Sequence, residues 1–301
     1  MSRQNVRGPQ ALFGAALLAI AAGALSGCKS DAEWPPEVVA KGRPWVHPTE
    51  LLGKISPRKR QLWVCSYVGQ PVPDGKPLDG TFADCEASIA GGADAVLLVN
   101  EYMLEGVKRT QFSSYEELEA TIKAVRARFP DLKLGVNWLG DDADPYGYQG
   151  AFRLAREHGL SIVWTDVSAI DLIKEAPPES LHDIAAARPP GVFYASGIHM
   201  KYTHLLDPGK TIEESALQAM GWLDGVIVTG LKTGVASDPE TVKRARSVLG
   251  TYPLGVASGV TAENVGAIRD FVDFYIVHTG IQEKHRIVLD KVKALRAALD
   301  R

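Results

Sequence analysis

The segments LDGVIVTGLKTG (223–234) and PLGVASGVTAENV (253–265) share one plan. Each opens on a short apolar run with no polar alternation, and the run stops in a loop of Gly, Thr and Ser. A strand with one wet face alternates apolar and polar residues. A run that is apolar throughout is a strand buried on both faces, as in a parallel sheet covered by helices. Working outward, the same kind of run occurs at QLWVCSY (61–67), DAVLLV (94–99), LKLGVNW (132–138), LSIVWT (160–165), GVFYA (191–195) and DFYIV (273–277). With DGVIVT (224–229) and PLGVA (253–257) there are eight. Each is followed by enough chain for a crossover helix.

Several helix starts are visible between the runs. Ser114 with Glu117, and Thr211 with Glu214, have the spacing of a capping box, in which a hydroxyl and a carboxylate satisfy free N–H groups reciprocally. Asp238-Pro239 places a cap residue before a proline at the first helical position, where proline loses no hydrogen bond. Thr261 with Asn264 predicts one more helix start, and Val288, Val292, Leu295 and Leu299 form an apolar stripe over a last helix at about 286–300. Eight strands alternating with helices in a domain running from residue 60 to 301 predict a single α/β domain, a (β/α)₈ TIM barrel. An open doubly wound sheet fits less well, because no GxGxxG follows any run.

The first 27 residues are of another kind. Arg3 and Arg7 precede the uninterrupted apolar stretch Ala11–Ala24, which is too short to span a bilayer comfortably. This is the layout of a signal peptide. It ends in Leu25-Ser26-Gly27-Cys28, which resembles the lipobox of bacterial lipoproteins. The resemblance implies that Cys28 is acylated and heads the mature chain. It also implies an envelope lipoprotein, with Lys29 favouring the outer membrane. Residues 28–59, rich in Pro and charge, read as a tether and lead-in. Cys65 and Cys85 lie in apolar surroundings and read as two separately buried thiols rather than a disulfide.

The chain carries a formal net charge of -3, with its basic residues dispersed apart from Lys54–Arg60, so nucleic acid is not an expected partner. His199, His204 and His278 fall on different loops, and GDDADPYG, with Asp141, Asp142 and Asp144, lacks the register of a calcium loop. No cofactor or metal is expected. The expected partners are a small anionic molecule and, through the lipid, a membrane; a homo-oligomer stays open.

In barrels of this class, active sites are built from the loops after the strand C-termini. That rule selects Glu101, Asn137, Asp166 and Lys201 as candidate catalytic residues. Asp166 would be a general base, Lys201 an anion contact or an amine nucleophile, and Glu101 and Asn137 would orient a hydroxylated ligand. It also selects Thr229, Gly230, Thr233, Gly234, Ser258, Gly259, His278, Thr279 and Gly280 as a ligand- or phosphate-binding face. Glycine lets backbone N–H groups approach an anion closely.

Strand six with its loop, LDGVIVTGLKTG, strand seven, PLGVASGVTAENV, and LGVNWLGDD at strand three resemble segments of the BtpA/SgcQ family. The resemblance spans residues 61–300. It implies a TIM barrel akin to the ribulose-phosphate-binding barrels, one branch being linked to photosystem I biogenesis and another to sugar or nucleoside metabolism. The chain departs from the family at Asn100-Glu101, at Met200-Lys201-Tyr202, and at His278-Thr279-Gly280, where a glycine is usual in place of His278. An imidazole there either helps to hold a phosphate or displaces it. Two functions remain open at this point. One is a hydrolase, isomerase or lyase acting on a phosphorylated or nucleoside- or sugar-like small molecule. The other is a membrane-anchored binding or assembly protein without turnover.

Overall fold

The structure is a computed structural model that describes residues 46–68, 76–102, 111–140, 147–166, 170, 181–201, 205 and 207–301. Eight parallel strands close into a barrel: β1 (Gln61–Tyr67), β2 (Ala95–Val99), β3 (Leu134–Asn137), β4 (Ile162–Thr165), β5 (Phe193–Gly197), β6 (Gly225–Thr229), β7 (Leu254–Ala257) and β8 (Phe274–Val277). Each pairs with its neighbours in sequence, and β8 closes on β1 with Gln61 opposite Phe274. Every strand lies within two residues of its sequence expectation, because each apolar run is buried on both faces.

The two faces separate cleanly. Leu62, Val64, Val96, Leu98, Leu134, Val136, Val226, Val228, Leu254 and Val256 face outward into the layer beneath the helices. Trp63, Cys65, Leu97, Val99, Ile162, Trp164, Phe193, Ile227, Phe274 and Ile276 fill the lumen. Trp63 stacks on Phe274 at 4.3 Å between ring centroids, and Phe193 meets each edge-on at 5.6 Å. Space for these rings comes from lumen glycines: a Cβ on Gly255 would lie 2.2 Å from the Phe274 ring. Large and small residues thus interleave in the barrel interior, as close packing requires.

The surrounding helices are α1 (Pro48–Ile55), α2 (Pro77–Gly91), α3 (Tyr115–Arg128), α4 (Tyr148–His158), α5 (Leu181–Ala187), α6 (Ile212–Ala219), α7 (Pro239–Leu249) and α8 (Leu289–Leu299). The Ser114 and Thr211 capping boxes form, and Asp238 caps α7. Two elements differ from expectation. The lead-in holds α1, capped by His47 with Pro48 at its first position; its Leu51, Leu52 and Ile55 plug the lumen floor. After β7, Thr261 and Asn264 exchange the expected capping hydrogen bonds, but the chain makes only the 3₁₀ turns Val265–Ala267 and Arg269–Phe271. Gly266 and the β-branched Val265 and Ile268 disfavour a longer helix there.

The floor is tied by a repeated device. Asp94, Asp224 and Asp273 each stand just before a strand. Each donates its N–H to, and accepts a hydrogen bond from, the backbone of Leu62, Tyr194 and Leu254 respectively. An arginine pairs with each carboxylate: Arg296 at 3.1 Å, Arg188 at 2.7 Å and Arg246 at 2.5 Å. Cys65 and Cys85 are separate, buried thiols. Among the described residues no helix is long and apolar enough to cross a membrane.

Candidate functional site

Side chains along a strand alternate between its two faces. Counting by twos from the lumen residues therefore identifies what meets at the barrel mouth. Trp63 and Cys65 lead to Tyr67, Gly135 to Asn137, and Ile162 and Trp164 to Asp166. Ile227 leads to Thr229, Leu97 and Val99 to Glu101, and Phe274 and Ile276 to His278. Five of the sequence-selected residues thus fall in one lumen-facing series.

Their contacts agree. The Asn137 amide donates to Asp166 Oδ1 at 3.1 Å across the β3–β4 seam. The Lys201 ammonium donates to Ser258 Oγ at 2.9 Å, and the Lys201 backbone N–H donates to Thr229 Oγ1 at 3.3 Å. Burial pushes the Cys65 thiol well above its ordinary range; the charges of Asp166 and Glu101 add to this and Lys201 opposes it. All three charges are therefore within electrostatic reach of one lumen thiol. Glu101 pairs with Phe112 in a short hairpin, while the buried Asn100 beside it accepts from the Leu139 N–H and takes a structural role.

His278 is buried against β1. Its Nδ1 lies 3.0 Å from the Cys65 carbonyl, and its ring lies 4.2 Å from that of Tyr67. Burial pushes its pKa down to about 4, opposed by the hydrogen bond to the Cys65 carbonyl and helped by the neighbouring His285 and Arg286. A carbonyl can only accept, so the neutral ring carries its proton on Nδ1 and leaves Nε2 as a bare lone pair.

The glycine-rich loops pack on one another. A Cβ on Gly230 would meet the Val235 carbonyl at 1.9 Å, one on Gly259 the Ala236 N at 2.3 Å, and one on Gly280 the Val260 carbonyl at 1.9 Å. These three glycines are needed for close backbone approach between neighbouring loops. Gly234, Thr233 and Leu231 are exposed. Ser258 holds φ at +81°, a conformation unfavourable for a residue with a Cβ, while its hydroxyl meets Lys201. A cavity of about 320 Å³ opens beside this pair, lined by His199, Lys201, Thr229, Gly230 and Leu231. It therefore sits over β5 and β6 rather than at the β7–β8 seam.

Residues 192–299 match the BtpA family model. The matched stretch carries β5 to β8, with Lys201, Thr229, Ser258 and His278; Glu101, Asn137 and Asp166 precede it. A comparison with curated proteins found no significant match. Among solved structures, the chain is similar to the tryptophan synthase alpha subunit of Legionella pneumophila str. Paris (TM-score 0.57, 15% identity, 85% of this chain and 99% of that one). It is also similar to phosphoribosyl anthranilate isomerase from Thermus thermophilus (TM-score 0.51, 18% identity, 80% and 98%). A third is thiamine phosphate pyrophosphorylase from Pyrococcus furiosus (TM-score 0.50, 16% identity, 80% and 95%). At these identities the likeness is one of fold.

Cys28, His204 and the acidic loop at Asp141, Asp142 and Asp144 lie outside the described residues. Sequence reasoning passed over Trp164, whose buried indole N–H has no hydrogen-bond partner among the described residues. The alternation that identifies Trp164 as a lumen residue was legible from Ile162 onward. Within the matched stretch it likewise passed over the hairpin Gln282–Glu283 with Arg286–Ile287, whose turn residues Lys284 and His285 hold φ at +46° and +63° without a glycine or asparagine to announce it.

Proposed function

We propose that the barrel binds and transforms a small anionic molecule at its C-terminal mouth, one that is phosphorylated and sugar- or nucleoside-like. The observation that carries this reading is the convergence of Asn137, Asp166, Thr229 and the Lys201–Ser258 pair above an apolar lumen. A buried amide such as Asn137, beside the half-buried carboxylate of Asp166, is costly to maintain at a strand end, and such groups concentrate where a ligand or a proton transfer uses them. Asp166, oriented by Asn137, is the general base. Lys201 and the hydroxyls of Ser258 and Thr229 take the anion beside the cavity, with Gly230 shaping that wall. Glu101 orients the ligand from β2. Two of the similar structures carry a phosphorylated compound in their names, which is consistent with an anionic ligand.

A thermal-shift screen with inorganic phosphate, sugar phosphates and nucleotides tests the reading. A ligand at a hundred times its dissociation constant stabilises the fold by about 2.7 kcal/mol. The Lys201→Met variant loses most of that shift; a panel that leaves the melting point unmoved overturns the proposal. We further propose that Cys28 carries lipid and tethers the barrel to an envelope membrane, the outer one on the strength of Lys29. Palmitate labelling that survives Cys28→Ser would count against the anchor.

A further inference from the structure

Among the described residues, three lumen-facing side chains at the mouth are at least nine-tenths buried and leave a polar atom without a hydrogen-bond partner: Asn137 Oδ1, His278 Nε2 and Trp164 Nε1. Most buried polar groups in folded proteins are satisfied, and each exception needs a reason. The chemistry of each atom is fixed by what its other end does. The Asn137 amide nitrogen is committed to the Asp166 carboxylate, so the free atom is the carbonyl oxygen, an acceptor. The His278 Nδ1–H is committed to the Cys65 carbonyl, so Nε2 is an acceptor too. Trp164 Nε1 can only donate.

We infer that the ligand presents at least two hydrogen-bond donors, such as the hydroxyls of a polyol, to Asn137 Oδ1 and His278 Nε2, and accepts one bond from Trp164. The inference rests on the anionic-ligand reading above and adds the ligand's polarity and orientation. The hydroxylated end lies toward β3, β4 and β8, and the anionic end lies toward Lys201 and Ser258 on β5 to β7. A bare imidazole lone pair repels a phosphate oxygen and welcomes a hydroxyl. His278 is therefore a specificity-determining acceptor rather than part of an anion cradle.

A site built to bond a hydroxyl discriminates strongly against an analogue lacking it, because the buried partner is then left unpaired. The experiment is calorimetric titration of the full chain with matched pairs. These are ribose 5-phosphate against 2-deoxyribose 5-phosphate and glucose 6-phosphate against 2-deoxyglucose 6-phosphate, with inorganic phosphate as reference. The expected result is that at least one pair separates by about tenfold or more in favour of the hydroxylated member. The His278→Phe variant, which keeps an aromatic ring against Tyr67, should narrow that ratio. If phosphate and all sugar phosphates bind and every pair binds equally, the hydroxyl inference falls and the anionic-ligand reading stands. If nothing binds, both fall. If the ratio persists unchanged in His278→Phe, His278 is not the reader. Should that variant fail to fold, the wild-type ratio alone decides.

Discussion

His278 ties the mouth's chemistry to the stability of the barrel, and the link can be measured. In the folded chain its pKa is pushed down to about 4. In the unfolded chain it titrates near 6.5. Between these values the unfolded chain takes up a proton that the folded one refuses, so stability falls as pH drops from about 6.5 toward 4. Above pH 7 both states are neutral and the group contributes nothing. At pH 5 the loss works out at about 2 kcal/mol, approaching about 3 kcal/mol below pH 4. The groups packed against His278 are Tyr67 and the Cys65 carbonyl on β1, with His285 and Arg286 as charged neighbours from the hairpin after β8. The assay is urea unfolding of the wild type and His278→Phe at pH 7.5 and 5.0. The wild type should lose about 2 kcal/mol more than the variant over that interval. Equal losses would refute the buried neutral imidazole, and with it the assignment of a bare Nε2.

Other outcomes follow from the floor and the loops. Asp94→Ala should cost about 3 kcal/mol or more in chemical denaturation, since it takes from the buried Arg296 guanidinium one of its two carboxylates, leaving only the half-exposed Asp300, and strips the Leu62 N–H of its acceptor. Gly255→Ala should destabilise by about 1–3 kcal/mol, because the new Cβ meets the Phe274 ring in a filled lumen. Ser258→Gly relieves a positive φ and should leave the melting temperature unchanged or raised, while weakening phosphate binding through loss of the hydroxyl that meets Lys201; a thermal-shift titration reads both effects.

The barrel was legible because its signals are redundant. Each strand is buried twice over, so its whole run is apolar, and three helices carry their caps in plain sequence. Asp94, Asp224 and Asp273 were legible as well: three runs begin with Asp because each clamps the start of the preceding strand. Their repetition marks the floor, opposite the site. What stayed hidden depends on one residue's partner elsewhere. Pro48–Ile55 reads as lead-in because only its apolar face, set against the lumen, shows it to be a plug. Thr261 and Asn264 form their cap without a helix behind them. The glycines at 230, 259 and 280 suggested an anion cradle, and each is required by a neighbouring loop's backbone. Glu101, Asn137, Asp166 and His278 could be brought together by strand parity alone, but the tautomer of His278 depends on the Cys65 carbonyl, 213 residues away in sequence.

The central claim is that the mouth holds a small anion with its charge at Lys201 and its hydroxyls at Asn137 and His278. A crystal structure of the protein grown with a bound sugar phosphate tests it most directly. Density is expected above the lumen with the phosphate against Lys201 Nζ and Ser258 Oγ and hydroxyls within hydrogen-bond distance of Asn137 Oδ1 and His278 Nε2. A phosphate seated against His278, or a ligand bound away from the strand C-termini, would contradict it.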